Sequence, residues 1–274
     1  ILAFNEYEGF RLGAAFNTNE NWSEKYSLNA YSAYGFKDET FKFGFGGDYF
    51  VNKPYSGRLF AKYSQDVSAS GKTPIVLQSN YTRLINGAFS NIYNQEYFSY
   101  KKYSAGYEQD IFKNVTFNVS LNYEKQHAEF DYTYENFDGW YDLYNTQIAI
   151  RYAPKDKFIR TPYGKVTVNS GKSVFYATLK KYWDVFDSGY EPIRLNVSYF
   201  DVFDTRVGKT NFNINGGWVE GKMPLMNLFE GQGNAKRNDF ANFGVGGVTN
   251  FETMRPGEFY SDRFVSFQVK HIFA

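Results

Sequence analysis

The 274-residue chain contains no cysteine, only two histidines, three methionines and seven prolines. Without cysteine there is no structural disulfide and no lipid-modified N-terminal cysteine within this stretch, although the absence does not choose a compartment, since many cytosolic chains also lack the residue. No apolar run approaches the ~20 residues that a spanning helix requires, and the mean hydropathy is only −0.53. The net charge of +1 offers no broad basic field, so nucleic acid is not an expected partner. Ile1 does not open a signal peptide, because no basic segment, apolar core and small-residue cleavage site follow it. The expectation is therefore a mature chain or a fragment of one.

What the chain has in quantity is aromatic residues: 29 Phe, 25 Tyr and 4 Trp. Aromatic and β-branched side chains suit pleated, half-buried surfaces, and Tyr and Trp also suit a membrane interface. The clearest strand is 115 to 124, where Val115, Phe117, Val119, Leu121 and Tyr123 alternate with Thr116, Asn118, Ser120, Asn122 and Glu124. The same period of two recurs at 10 to 17, 26 to 36 and 41 to 51, with further segments at 58 to 65, 100 to 108, 146 to 153, 173 to 182, 193 to 200 and 209 to 219. A last one, 262 to 273, sets Val265, Phe267, Val269 and Phe273 against Ser266, Gln268 and Lys270. Each is close to the ~9 to 11 residues with which a tilted strand crosses a bilayer. Charged and amide residues fill the second face of nearly every segment. A packed soluble core does not tolerate them, whereas a wet interior does. The fold class expected is all-β, a transmembrane antiparallel β-barrel with about 11 to 12 strands in this chain. Low mean hydropathy is no objection, because such strands show lipid only at every second residue.

Connection lengths give an independent test, since outer-membrane barrels keep short turns on the periplasmic side and long loops outside. The long connections, 66 to 99, 125 to 145 and 220 to 260, all follow even-numbered segments and so share one side. The other side receives 52 to 57, 109 to 114 and 201 to 208, which are short and rich in turn residues. Only 154 to 172 breaks the parity. The same parity makes the first segment an inward-running one, so an outward strand is expected before it. Open edges cannot survive in hydrocarbon, and the barrel, residues 1 to 274, is therefore expected to be incomplete at both ends.

Glu8-Gly9-Phe10-Arg11-Leu12-Gly13 resembles the opening strand of the outer-membrane assembly and translocation barrels, the superfamily of BamA and TamA. Arg151-Tyr152-Ala153-Pro154, Lys157-Phe158-Ile159, Thr161-Pro162, Gly208-Lys209-Thr210, Pro224-Leu225 and Phe229-Glu230-Gly231 resemble the barrel of the carboxypeptidase-like regulatory-domain outer-membrane proteins of Bacteroidetes. So do Glu258-Phe259-Tyr260-Ser261-Asp262-Arg263-Phe264 and Lys270-His271-Ile272-Phe273. The resemblance implies a barrel of about 16 strands preceded by a periplasmic β-sandwich, with this chain covering roughly its second to twelfth strands. It also implies a non-enzymatic role in or beside the machinery that assembles or translocates proteins in the outer membrane. The superfamily's Arg-Gly-Phe/Tyr loop motif has no match here. Its nearest counterpart is Arg255-Pro256-Gly257, which makes Arg255 the candidate for a loop entering the lumen.

Catalytic, cofactor and metal sites are expected to be absent. His127 lies beside Glu124 and Glu129 beyond a strand end, without a second histidine or a nucleophile motif near it, and His271 shares a strand face with Val269 and Phe273. Asp184 with Asp187, and Asp201 with Asp204, lack the EF-hand pattern and read as turn chemistry. Phe243-Gly244-Val245-Gly246-Gly247 lacks the Gly-Lys-Ser/Thr of a phosphate loop. Gly44 and Gly46 share the interior face of their strand, where a missing side chain permits curvature or the close approach of a plug. Tyr132, Tyr134, Trp140 and Tyr141 form either a partner or ligand surface or ordinary loop packing. The lumen-lining candidates are Arg11, Lys42, Asp48, Asn118, Asn122, Glu124, Arg194 and Asn196. The expected partners are the lipid bilayer of the outer membrane and other outer-membrane or periplasmic proteins in a complex. The alternative function is a passive or gated pore for small solutes.

Overall fold

The computed structural model describes residues 1–274 apart from 73–74, 78–95, 136–138, 186–188, 232, 234–250, 252–253, 256 and 274. It is all-β. Twelve strands form one antiparallel sheet in which almost every strand pairs with its neighbours in sequence: β1 (Leu2–Asn5), β2 (Gly9–Asn17), β3 (Tyr26–Gly35), β4 (Phe41–Asn52), β5 (Gly57–Ala69), β6 (Tyr97–Phe112), β7 (Val115–Ala128), β8 (Tyr141–Tyr152), β11 (Val174–Trp183), β12 (Ile193–Thr205), β13 (Gly208–Glu220) and β16 (Arg263–Phe273). The gaps in that order are filled by a hairpin, β9 (Lys157–Thr161) with β10 (Gly164–Asn169), and by the short pair β14 (Phe229–Glu230) and β15 (Tyr260–Ser261). Among the described residues no ladder joins β1 to β16.

The polarity of the sheet is inverted relative to a soluble protein. Leu12, Leu28, Phe45, Leu121 and Phe267 are exposed, with Leu121 at 65% and Val265 at 83%, while Lys42, Asp48, Asn118, Ser120, Asn122, Gln126, Asn145 and Asn213 are buried. Strand alternation generates both faces from one pattern, because successive side chains point to opposite sides. The polar face is concave. Side chains from β2 through β8, β11 and β12 together line one cavity of about 1010 Å³, which a flat sheet cannot bring about.

The hairpin β9–β10 accounts for the long connection at 154 to 172, since its residues satisfy each other's backbone groups in their own ladder. It lies against the 3₁₀ turn Lys53–Tyr55. Lys165 reaches Asp110 on the inner wall at 2.9 Å, and the Arg160 guanidinium sits 4.5 Å from the centre of the Tyr55 ring. At the opposite end of the sheet, Met223, Met226 and Phe229 pack onto inward-facing Phe98, Tyr141, Leu143, Tyr182 and Val219. Among the described residues that cluster is the apolar core, and it lies at one end of the sheet.

Candidate functional site

The concave face is a field of charged and amide groups held by long-range pairs. Arg11 on β2 meets Asp66 on β5 with both guanidinium nitrogens, at 2.7 and 2.9 Å, and also approaches Glu8 at 3.3 Å. The Tyr31 hydroxyl donates to the same Asp66 at 2.8 Å. This arrangement depends on Gly44, because a Cβ there would stand 2.4 Å from Tyr31 Cε1. Gly46 likewise makes room for Lys62, whose Cγ lies 2.8 Å from the position a Cβ would take. Both glycines thus accommodate neighbouring wall side chains. Lys42 bridges Glu8 at 3.1 Å and also pairs with Asp38.

Toward the hairpin end, Arg58 joins Asp48 at 3.1 Å to Glu108 at 3.0 Å, and Asn118 donates to Glu108 at 3.2 Å. Asn122 accepts from Ser104 at 2.7 Å and donates to Asn145 at 3.1 Å. Glu124 pairs with Lys102 at 3.3 Å and accepts from Gln126 at 2.6 Å. Arg194 is buried with its guanidinium 4.6 Å from the Phe229 ring centre. Asn196 lines the same cavity, and its Oδ1 meets no donor. All eight of these sequence-named residues occupy the polar face. Arg255 does not join them: it is exposed, and its backbone N–H donates to Glu258 at 2.9 Å.

Segment 223–231 covers one end of the concave face through specific contacts. Gln126 and Asn227 exchange amide hydrogen bonds at 2.6 and 3.3 Å. The Leu225 N–H donates to the Tyr132 hydroxyl at 2.9 Å, Gly71 N–H to the Met226 carbonyl at 3.1 Å, and Lys72 pairs with Glu230 at 3.0 Å. Gly217 sits beneath this segment, where a Cβ would lie 2.5 Å from both Phe229 and Phe264. The outer aromatic residues belong to the same assembly. Tyr134 and Tyr141 each lie within 6.3 Å of the Tyr190 ring, and Tyr132 lies 6.4 Å from Tyr141. Burial raises the phenol pKa of Tyr132, Tyr134 and Tyr190 above its ordinary value. Trp140 stands apart on the surface with Lys101 Nζ 5.3 Å from its ring centre. Met223 and Met226, which carry this packing, are not singled out by the sequence alone. Two of the chain's three methionines within four positions of each other were the available signal.

The remaining candidates have local partners. His127 Nδ1 is 3.6 Å from Glu129, and its ring packs 5.4 Å from Trp140. His271 Nδ1 shares a 2.8 Å hydrogen bond with Thr210. Asp184 accepts from the Gly189 N–H at 2.9 Å in a turn, Asp201 is held by Ser173, Tyr199 and Lys155, and Asp204 pairs with Lys172 at 3.0 Å. Asp187 and the glycines around Val245 lie outside the described residues. Among the described residues no three of His, Cys, Asp and Glu gather as metal ligands. Comparison with protein families, with curated proteins and with solved structures gives no match.

Proposed function

We propose that the sheet is the wall of a β-barrel in a bacterial outer membrane, and that the protein is a non-enzymatic component or relative of the machinery that assembles or translocates proteins there. The observation that carries the membrane reading is the inverted polarity: continuous Phe, Leu and Val rows outside, ion pairs and amides inside. Water would penalise such an exterior, whereas lipid rewards it. Within this reading the outer edges of β1 and β16 are paired in the bilayer, because each unsatisfied backbone group in hydrocarbon costs several kcal/mol.

The assembly role is supported by the motif resemblance at Glu8–Gly13 and Arg151–Pro154 and by the inward-packed segment 223–231, which suits a barrel that is not a standing channel. Deleting the gene and profiling surface and outer-membrane proteins tests it. Depletion of specific proteins is expected, and an unchanged profile rejects the role. A second reading, a gated pore for small solutes, is favoured by the cavity of about 1010 Å³ and its ionic lining. Planar-bilayer recording separates the two. Steady open currents from the full chain favour the pore, and a silent barrel favours the assembly component.

A further inference from the structure

On the outward face, neighbouring strands repeat one order of side chains. From the long connections toward the middle of the sheet, β6 presents Lys101, Tyr103 and Ala105, and β7 presents Lys125, Tyr123 and Leu121. The ladder sets them level: Lys101 stands opposite Lys125, Tyr103 opposite Tyr123, and Ala105 opposite Leu121. β5 continues the order with Gln65, Tyr63 and Ala61 in the same register. Ammonium or amide, then phenol, then aliphatic carbon is the order of polarity along a membrane lipid, from headgroup through interface to acyl chain. Next to the phenols, Gly47, Ala61 and Ala105 are cross-strand neighbours. They floor an outer groove of about 1040 Å³, with Tyr63, Tyr103 and Leu121 in its walls. A second groove of about 600 Å³ over the same three residues extends it past Leu59 and Val119.

The charged end of this order is not balanced. Two like charges directly opposite each other destabilise a sheet. Among the described residues Lys101 Nζ has the Trp140 ring centre 5.3 Å away and no ion pair. Asp142 lies 3.5 Å from Lys125, and the same carboxylate oxygen accepts from the Tyr123 hydroxyl at 2.6 Å. Glu129, the next acidic group, is engaged by Ser99 and His127. We propose that Lys101 and Lys125 hold the phosphate of a phosphorylated membrane lipid in the leaflet beside the long connections, with an acyl chain of that molecule in the groove over Gly47, Ala61 and Ala105. The inference rests on the reading that the outward face meets lipid. A phosphate places several acceptor oxygens around one centre of charge, so it receives both ammonium groups at once, each a compact point charge on a flexible stem. A zwitterionic headgroup brings its own cation and offsets little of their repulsion.

The test uses the full chain in phosphatidylcholine vesicles that carry a lipid with brominated acyl chains, either phosphatidic acid or phosphatidylcholine. Bromine quenches the tryptophans it touches, and of the four, Trp140 lies beside Lys101 and Trp183 lines the groove. At roughly fivefold per lysine, phosphatidic acid should associate about thirtyfold more tightly than phosphatidylcholine in wild type, about fivefold in Lys101→Gln, and equally in Lys101→Gln/Lys125→Gln. Lys222→Gln, which changes an exposed loop cation paired with Glu135, should keep the wild-type preference. A preference unchanged by the double substitution overturns the site. Displacement of the brominated phosphatidic acid by soluble glycerol phosphate overturns the part assigned to the groove. If the double variant does not insert, Lys101→Gln and the wild-type comparison of the two lipids decide. Absence of quenching by either lipid refutes the membrane reading itself, whereas equal quenching by both in wild type refutes only the site.

Discussion

Replacing Leu121 with arginine discriminates sharply between lipid and water outside the sheet. Leu121 lies in the middle of β7, 65% exposed, opposite Ala105 on β6 and Thr146 on β8. Its surroundings on that face include Gly47, Ala61 and Tyr103. In water, an exposed substitution without broken contacts changes stability by no more than about 0.5 kcal/mol. At the midplane of a bilayer, arginine on the lipid face of a barrel costs about 2 to 4 kcal/mol, a loss of roughly 30- to 700-fold in the folding constant. The neighbouring inward residue gives the opposite-face control. Asn122 is buried and bonded to Ser104 and Asn145, so Asn122→Leu leaves those partners unsatisfied at about 1 to 3 kcal/mol. Urea unfolding in phospholipid vesicles, read by the fluorescence of the four tryptophans, measures both. Leu121→Arg within about 0.5 kcal/mol of wild type would refute the assignment of this face to lipid, whatever Asn122→Leu does.

Arg11→Met strips Asp66 of its bidentate partner while both side chains remain about nine-tenths buried. A loss of about 3 kcal/mol is expected in the same urea assay, with much of it recovered in Arg11→Met/Asp66→Leu. Gly217→Ala forces Phe229 and Phe264 away from the inner wall. Faster proteolysis within 223–231 or larger bilayer currents should follow, and wild-type values of both would show that the segment is not seated through this contact. The phenols of Tyr132, Tyr134 and Tyr190 are raised by burial, so the folded pKa lies above the unfolded value of ~10. Their contribution to stability is therefore complete below pH ~10 and is lost as the pH climbs from there through the folded values. Tyrosinate absorbance in the folded protein should show a late-titrating group, and Tyr190→Phe should diminish it.

The strands were legible in the sequence wherever the two faces differ in polarity. All eleven alternating segments correspond to strands of the main sheet. The twelfth, β1, spans only Leu2–Asn5, too few residues for a period to register. β6 and β12 run on through Asp110 and Asp201, which the sequence places in turns, to Phe112 and Thr205, and two strand starts lie earlier than expected where the interior is apolar. β8 begins at Tyr141 rather than near 146, and β6 at Tyr97 rather than 100, because Tyr141, Leu143, Tyr97 and Phe98 are buried and so obscure the polar phase. The pattern broke there because the interior is covered by segment 223–231, a long-range event that local alternation does not encode. Inward residues could be named, but their partners could not: Arg11 and Asp66 are 55 positions apart. The Lys101 and Lys125 juxtaposition was equally hidden, since it depends on register across a turn. The hairpin β9–β10 was read only as a parity violation, its two strands being too short to cross a membrane.

The concave face is not held together uniformly, and the asymmetry bears on where movement belongs. From β2 to β6 the wall is cross-linked by Arg11–Asp66, Lys42–Glu8, Arg58–Asp48 and Arg58–Glu108, each pair satisfied and drawn from different strands or turns. Breaking any of them exposes a buried charge, so this half is held in one arrangement. Segment 223–231 is held instead by one ion pair, Lys72 with Glu230, by the amide exchange with Gln126 on β7, and by apolar and ring packing on β6, β8, β11, β13 and β16. Amide and aromatic contacts are exchanged at lower cost than buried ion pairs. Movement is therefore expected first in segment 223–231, with the ion-paired strands β2 to β6 serving as the fixed wall.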